Sequence, residues 1–493
     1  MSKRTAPIAL NGEEFRRLGY QLVDNLAEFI DTIPKRPVTP GEPPSLVRAC
    51  LPQSGVPEEG CDPEQLLTET QDLLFDHSLL NGHPLFAGYI TSPAAPLSTL
   101  AELLASNVNA NLGAWILSPI ATEIECQTLR WIAEMVSYPT HCGGVLVSGG
   151  NMANYVGLMV ARYAKAQWNV REEGLCAQQS KKLCVYASKE THTWLQKATD
   201  LLGLGTQQIR WITTTPEHSM NVDALRQSIQ QDINYGHQPF LVIGTAGSVS
   251  TGAVDPITQL REVCDEFDLW LHIDGAYGAF AAVSDDCPTE LKHLALADSV
   301  AMDPHKWLYI PLEAGCVLVQ DKELMRSTFS YRPPYYKMDE VGGEPTTDFV
   351  DYSPQNSRGF RALKVWMSLR HIGRRAYAQM ISDDMRLARL MHQRAKEHDE
   401  LEAFTQNLSI TTFRFVPLSQ EAHDENYLNQ LNETLLTQLQ ESGKAFLSNA
   451  IIENRYLLRA CIVNFRTEEK HIDEILQTVI DLGRCVHHQL MQT

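Results

Sequence analysis

Between about residues 90 and 370, short apolar runs alternate with stretches of helical periodicity, and this alternation limits the fold more than any other feature of the chain. The runs KLCVYAS (182–188), QIRWITT (208–214), PFLVIGTAGS (239–248), LWLHIDGA (269–276) and AGCVLVQD (314–321) have the length and β-branched content of strands. Amphipathic segments over 152–168 and 191–202 lie near them. Strands alternating with helices predict an α/β fold with a mostly parallel central sheet and helices on both faces. The flanks read differently. From Asn11, which forms a capping pair with Glu14, residues Phe15, Leu18, Leu22, Leu26, Phe29 and Ile30 recur at helical spacing, so 13–30 is an amphipathic helix with one buried stripe. Taken alone, that stripe is expected to pack within the monomer. Pro34, Pro37, Pro40, Pro43, Pro44, Pro52 and Pro57 follow, a density that forbids continuous helix and reads as an extended connector. Near the C-terminus LSITTFRFVP (408–417) and YLLRACIVNFR (456–466) look like half-buried strands around a polar helical run, 423–441, which makes a small α+β domain. The expected division is an N-terminal helical segment with its connector over 1–85, a large domain over 86–375 and a small one over 376–493.

A chain of 493 residues with 44% hydrophobic side chains can bury a large core and a smaller one beside it. Acidic side chains outnumber basic ones, 60 to 41, for a formal net charge of −19, so the surface repels phosphate backbones and nucleic acid is not an expected partner. An anionic ligand must therefore bind in a local pocket. No apolar run reaches the roughly 18 residues that span a bilayer, and the leading MSKRTAPIALNGEEFRR lacks the apolar core of a signal peptide, so no membrane contact and a cytoplasmic location are expected. The 11 cysteines include no CxxC pair and suggest reduced thiols rather than a disulfide framework or a zinc site.

The chemistry concentrates at strand ends. In DSVAMDPHKWLY (298–309), Lys306 follows Pro304 and His305 just past an apolar run; in LWLHIDGAYGAF (269–280), Asp274 closes a strand. A lysine there can trap a carbonyl as an imine, and a carboxylate can keep a ring nitrogen protonated, the two groups that pyridoxal 5'-phosphate chemistry requires. Ligands of such sheets bind at the C-terminal ends of the strands, so Asp274, Lys306 and the loop carrying Ser248 can share one crevice. SGGNMANYVGLMVARYAKAQW (148–168) places two glycines and Asn151 at a helix start, where backbone N–H groups form an anion site, and Gly150 and Asn151 are assigned to the phosphate. Each residue also has a plainer reading: a surface lysine, a buried capping carboxylate, a tight turn.

The strings SGGNMAN (148–154), TAGSVSTGAVDP (245–256), HIDGAYG (272–278), DPHKW (303–307) and SRGFRALKVW (357–366) together resemble the group II pyridoxal-dependent decarboxylases, which include aromatic-amino-acid, glutamate and cysteine-sulfinate decarboxylases. The resemblance runs from about Glu13 to Arg466. It implies the fold of a fold-type I PLP-dependent transferase and a homodimer with shared active sites, the N-terminal helix packing across the interface. It also implies that His192 stacks on the cofactor ring, that Ala276 packs on the ring's other face and that His305 contacts the phosphate or borders the imine. Within the polar loop STFSYRPPYYKMDEVGGEPTTDFVDY (327–352), a candidate lid, counting from Lys306 puts Tyr335 where the family carries a proton donor supplied across the dimer interface; Tyr336 is the adjacent competitor. Ser248 and Val249 stand where the family often has two threonines, so Ser248 or Ser250 takes over that contact. Arg358 and Arg361 read as interface residues, phosphate ligands or the polar face of a helix.

HPLFAGYITSPAAP (83–96) and NVNANLGAWILSP (107–119) match the family's substrate-pocket segments. Ile90, Asn111 and Gly113 stand where aromatic-amino-acid enzymes carry Phe, Ile and Phe, and NAN (109–111) resembles the NTN of glutamate-type members, which leaves the substrate open between aromatic and acidic. The expected reaction is decarboxylation of an L-amino acid to its amine and carbon dioxide through a Lys306 imine. The rivals are an aldehyde synthase or a lyase on the same scaffold, and a pyridoxal-phosphate-binding protein without turnover. Tyr335 counts against the synthase, since family synthases often carry phenylalanine there.

Overall fold

The computed structural model describes residues 6–333, 340–418 and 424–492. Its large sheet comprises β1 (Gly143–Val147), β2 (Leu183–Ser188), β3 (Ile209–Ile212), β4 (Gln238–Thr245), β5 (Trp270–Asp274), β6 (Ser299–Met302) and β7 (Gly315–Val319), in the order β1-β7-β6-β5-β4-β2-β3. β7 runs antiparallel to both neighbours, β1 and β6; the other pairs are parallel. Every residue of β1, β2, β5, β6 and β7 is buried, which explains why they appear in the sequence as continuous apolar runs rather than alternating ones. Helices lie on both faces. The strand absent from the sequence reading is β1, GGVLV, whose leading glycines dilute the signal. Its Gly144 is there for contact: a Cβ would fall 2.9 Å from Leu318.

Two short strands, β8 (Glu340–Val341) and β9 (Glu344–Pro345), pair within the 327–352 loop. The loop is not wholly polar surface, because Phe329, Phe349 and Tyr352 at its ends are buried. β10 (Leu401–Asn407), β11 (Ile410–Phe415), β12 (Ser448–Ile452) and β13 (Arg455–Cys461) form an antiparallel sheet in the order β10-β11-β13-β12, with helices Glu425–Ser442 and Glu469–Leu490 packed on it. β11 is buried at every position rather than at alternate ones. Successive side chains point to opposite faces, and Ile410 enters the core of the large sheet while Phe413 and Phe415 enter a second core.

Two features modify the expected division. The second core includes Val38, Leu85, Phe86 and Ala87, and Val38 N–H donates to the Gly443 carbonyl at 2.8 Å, so parts of the N-terminal 85 residues complete the C-terminal domain. The proline-rich connector also carries short helical segments, Ile33–Lys35 and Pro44–Ala49, each begun where proline suits the first turn. The boundary at 375 falls inside the helix Ala362–Glu397, just past a break at Gly373 (φ 75°). That helix serves both cores, through Val365 and Ile381 in one and Met391 and Ala395 in the other.

The N-terminal helix, Gly12–Thr32, has the expected capping box of Asn11 and Glu14. None of its residues is fully buried: Leu18, Leu22, Leu26, Phe29 and Ile30 are half-buried and Phe15 is exposed, so the apolar stripe is only partly covered within the monomer. The helix forms a hairpin with Pro63–His77, fastened by the stack of Phe29 on Phe75 (4.1 Å) and by the Asn25–Gln71 hydrogen bond (2.8 Å). No helix among the described residues is long and apolar enough to cross a membrane.

Candidate active site

The ends of β1, β2, β4, β5 and β6 meet at one cavity of ≈ 380 Å³. Ser148–Asn151 reach it after β1, Glu190 and His192 after β2, Gly247 and Val249 after β4, Asp274 and Ala276 at the end of β5, and Asp303, His305 and Lys306 after β6. Residues scattered over 159 positions of sequence are thus brought together by topology alone, from Ser148 to Lys306.

Asp274 accepts hydrogen bonds from Trp194 Nε1 (2.7 Å) and from the Ala276 N–H (3.2 Å), and it is nearly sequestered from solvent. His192 is oriented by the Trp194 N–H, which donates to its Nδ1 at 3.2 Å. Burial pulls the His192 imidazole below its usual range, and the nearby Asp274 charge only partly offsets this. Beneath them a relay of hydrogen bonds fixes the floor: Trp270 Nε1 donates to Ser299 Oγ (2.8 Å), Ser299 pairs with His272 Nδ1 (2.7 Å), His272 Nε2 with Asn154 Oδ1 (2.8 Å), and Asn154 Nδ2 donates to the Gly150 carbonyl (2.9 Å). Complete burial lowers the His272 pKa to about 4, so the ring is neutral and its Nε2–H is the donor to Asn154. The relay carries the sheet's position to the first turn of the helix Gly150–Lys165.

At that turn the backbone leaves no room for side chains. Gly149 has φ 145°; a Cβ on Gly150 would lie 2.7 Å from Asp303 Oδ2 and 3.1 Å from Ala276; one on Gly315 would strike the Gly149 backbone at 2.5 Å. A helix start stripped to glycine, with its N–H groups facing a cavity, suits an anion such as phosphate. Lys306 Nζ lies 3.0 Å from Asp303 Oδ2, and the Lys306 N–H donates to the Asp303 carbonyl. His305 pairs its Nδ1 with the Ala314 carbonyl (2.8 Å), which leaves Nε2 3.6 Å from Asp303. Burial lowers its pKa as well. An amine, a buried carboxylate across the cavity and a glycine cradle fit pyridoxal 5'-phosphate.

Ser248 is placed differently from the reading above. Its hydroxyl is buried against Thr251 Oγ1 (2.8 Å) inside its own loop, while Gly247 and Val249 form the wall. Arg358 is away from the cavity too: fully buried, it pairs with Glu125 and donates to the Leu112 and Leu146 carbonyls, pinning its loop to β1. Arg361 pairs with Glu313. Ile90 lines the cavity, but Asn111 and Gly113 do not: Asn111 Oδ1 accepts from the Gly113 and Arg358 N–H groups, and a Cβ on Gly113 would meet the Asn356 carbonyl at 2.3 Å. Tyr335 and Tyr336 lie outside the described residues. Sequence reading missed Trp194, Asn154 and Asp303. Only Asp303 left a signal, an acid three residues before Lys306 in a motif already singled out.

Residues 44–416 match the family model for the pyridoxal-dependent decarboxylase conserved domain. The chain is 33% identical over 480 residues to an aromatic-L-amino-acid decarboxylase of Bacillus atrophaeus, covering 97% of each. It is 30% identical over 499 residues to a phenylacetaldehyde synthase of a Rosa hybrid cultivar, covering 97% of this chain and 95% of the relative. Among solved structures it superposes on the tryptophan decarboxylase of Catharanthus roseus in complex with L-tryptophan with a TM-score of 0.87 and 26% identity, covering 98% of this chain and 100% of the other. The chain belongs to the pyridoxal-dependent decarboxylase family and is a pyridoxal-phosphate-dependent carboxy-lyase.

Proposed function

We propose that this enzyme decarboxylates an L-amino acid with an apolar or aromatic side chain, with Lys306 and Asp274 as its central catalytic groups. One observation carries the substrate class: Ile90, Val249 and Leu312 give the cavity an apolar wall, and no arginine is among the described residues lining it. An acidic side chain would have no guanidinium to pair with there. When bound, pyridoxal phosphate supplies an aldehyde that captures amines and a ring that takes up electrons from a breaking bond.

The residues divide that work among themselves. Gly150 and Asn151 offer backbone N–H groups to the phosphate. Lys306 would provide the amine that holds the cofactor aldehyde. Asp274, held by Trp194, keeps a proton on the ring nitrogen. His192 and Ala276, which line the cavity with Lys306, would hold the ring between them. His305 is held toward the cavity by Ala314. The proton that completes the amine comes from Tyr335 of the lid. The protein works as a cytoplasmic homodimer; the exposed Phe15, Tyr20 and Val23 of Gly12–Thr32 support the dimer.

A panel of L-amino acids scored for carbon dioxide and amine tests the reading: aromatic substrates are turned over, and L-glutamate and L-cysteine sulfinate are not. Preference for the acidic pair overturns the substrate class. A second reading, aldehyde synthesis, is favoured by the Rosa relative's 30% identity. Peroxide and aldehyde formed in step with carbon dioxide would establish it in place of simple decarboxylation.

A further inference from the structure

In a chain of net charge −19, one cavity is lined by two arginines and, among its described residues, by no acid. It measures ≈ 450 Å³ and shares no lining residue with the cavity at the strand ends. Arg162 reaches it from the helix Gly150–Lys165, about 18 Å along the axis from Gly150 at a rise of ~1.5 Å per residue. Arg171 reaches it from the short helix Val170–Glu173. Opposite them stand Phe329, Tyr331 and Val350 of the loop 327–352, with Asn356 just beyond it.

Neither guanidinium pairs with a carboxylate among the described residues. Arg162 Nη1 donates to the Leu202 carbonyl at 3.3 Å, and its Nε is buried without a hydrogen-bond partner. Burial lowers its pKa, and no neighbouring charge offsets this. Arg171 is engaged with the root of the loop: Nη2 donates to the Ser330 carbonyl (2.8 Å), Nη1 to the Ser327 carbonyl and Nε to the Tyr331 hydroxyl (3.2 Å), and the guanidinium lies 4.0 Å from the centre of the Tyr331 ring. A half-buried cation with no counter-charge has lost hydration without replacement. An anion in the cavity would supply what Arg162 lacks.

The walls narrow the class of anion. Met159, Val170, Phe329 and Val350 are apolar, so the cavity suits an anion carried on an apolar body rather than a bare inorganic ion. Every nitrogen of Arg171 already donates once, which leaves Arg162 as the main partner and matches a single charge. We propose that this cavity is a peripheral binding site for a small organic carboxylate, its head paired with Arg162 and its body against Phe329 and Tyr331. The occupant would fasten the root of the loop 327–352 to the helix that begins at the glycine turn. Decarboxylation removes the very group this site recognises, so the site distinguishes carboxylates from the amines that the enzyme makes.

The test uses phenylacetate, which has no amine to react with the cofactor, titrated calorimetrically into holoenzyme. The holoenzyme is first treated with phenylhydrazine, which consumes the cofactor's aldehyde and fills the cavity at the strand ends. The wild type should bind about one equivalent per chain, and Arg162→Gln should bind at least about tenfold more weakly. Phenylethanol, which lacks the charge, should bind the wild type more weakly by a similar factor. Asn356→Asp changes an exposed residue of the cavity, sets a like charge beside the head and should also weaken binding; it decides the matter should Arg162→Gln not fold. Amide hydrogen exchange over residues 327–331 should slow when phenylacetate binds. Absence of saturable binding, equal binding of the alcohol, or unweakened binding in the folded variants overturns the site. Tighter binding of phenyl phosphate than of phenylacetate overturns the carboxylate and gives the site to phosphate monoesters. Binding with unchanged exchange overturns the tie to the loop and leaves the site.

Discussion

At the strand ends Asp274, Lys306, His192 and His305 each take their position from a neighbour in the same chain: Trp194, Asp303, the Trp194 backbone and Ala314. In the hairpin of Gly12–Thr32 and Pro63–His77 the apolar residues lack that support, and Phe15, Tyr20 and Val23 are 49%, 65% and 41% exposed. The first region is organised by one chain's hydrogen bonds. The second has an apolar face that a single chain covers only in part, and exposed apolar surface of that kind marks an interaction site. The contrast separates what the monomer can do, which is build the cofactor cavity, from what association adds.

The largest expected effect falls on the cavity. Lys306→Ala removes the resident amine and should lower decarboxylation by on the order of 10⁴ or more, with no cofactor fixed to the protein by borohydride. If borohydride still fixes the cofactor at another lysine, the cavity is not the self-sufficient half of the comparison.

Next is the ion pair that ties the Arg358 loop to β1. Arg358→Ala leaves the buried Glu125 carboxylate with only the Leu146 N–H and should cost about 3–5 kcal/mol of stability, read as a lower melting temperature. Loss of activity at unchanged stability would instead give Arg358 a direct role at the site.

Asp384 tests the support behind Lys306. Its fully buried carboxyl accepts from Trp307 Nε1 (2.8 Å) and the Tyr309 hydroxyl (2.6 Å), and burial raises its pKa to about 7. The native state then holds a proton that the unfolded chain, titrating near pH ~4, releases. This contribution is fully present below about pH 4 and is lost as pH rises toward about 7, a few kcal/mol in all. His272 works the other way, its contribution being lost as pH falls from about 6.5 toward 4, because the unfolded imidazole takes up a proton that the buried one refuses. Urea unfolding across this range should therefore decline less steeply with rising pH in Asp384→Asn than in the wild type. Identical pH slopes would place the Asp384 titration elsewhere.

The smallest effect on the fold is expected in the hairpin. Phe15→Lys with Val23→Lys should leave monomer stability within about 0.5 kcal/mol, as surface changes do, yet shift sedimentation from dimer to monomer. A dimer that persists would mean the exposed face serves something other than self-association, and the comparison would have to be redrawn.

Much of this was legible in the chain. The strands buried on both faces are continuous apolar runs, so β2, β4, β5 and β7 could be read directly, and Lys306, Asp274 and the 148–151 turn lie at strand ends or a helix start where local sequence signals chemistry. Trp194 and Asn154 were not legible, because a hydrogen bond to a residue 80 positions away, as from Trp194 to Asp274, has no local pattern. The partner of Ser248 was not legible for a related reason: a hydroxyl in a motif loop can serve the loop itself, here through Thr251. Nor could the stripe of Gly12–Thr32 reveal what it packs against, since periodicity reports that a face is apolar and not what covers it.

The sequence by itself determined which residue types were available and which segments had to be buried: a parallel sheet, a glycine turn, a lysine and a carboxylate each at a strand end. That information is local and depends on spacing, capping and the period of apolar residues. Tertiary structure alone decided that Asp303 stands between the Lys306 amine and the glycine turn, that Arg358 pairs with Glu125 behind β1, and that Val38 and Phe86 complete the C-terminal core. These are contacts between segments far apart in the chain, fixed by how the strands are ordered and how closely the layers pack, and side-chain spacing along the sequence carries no record of them.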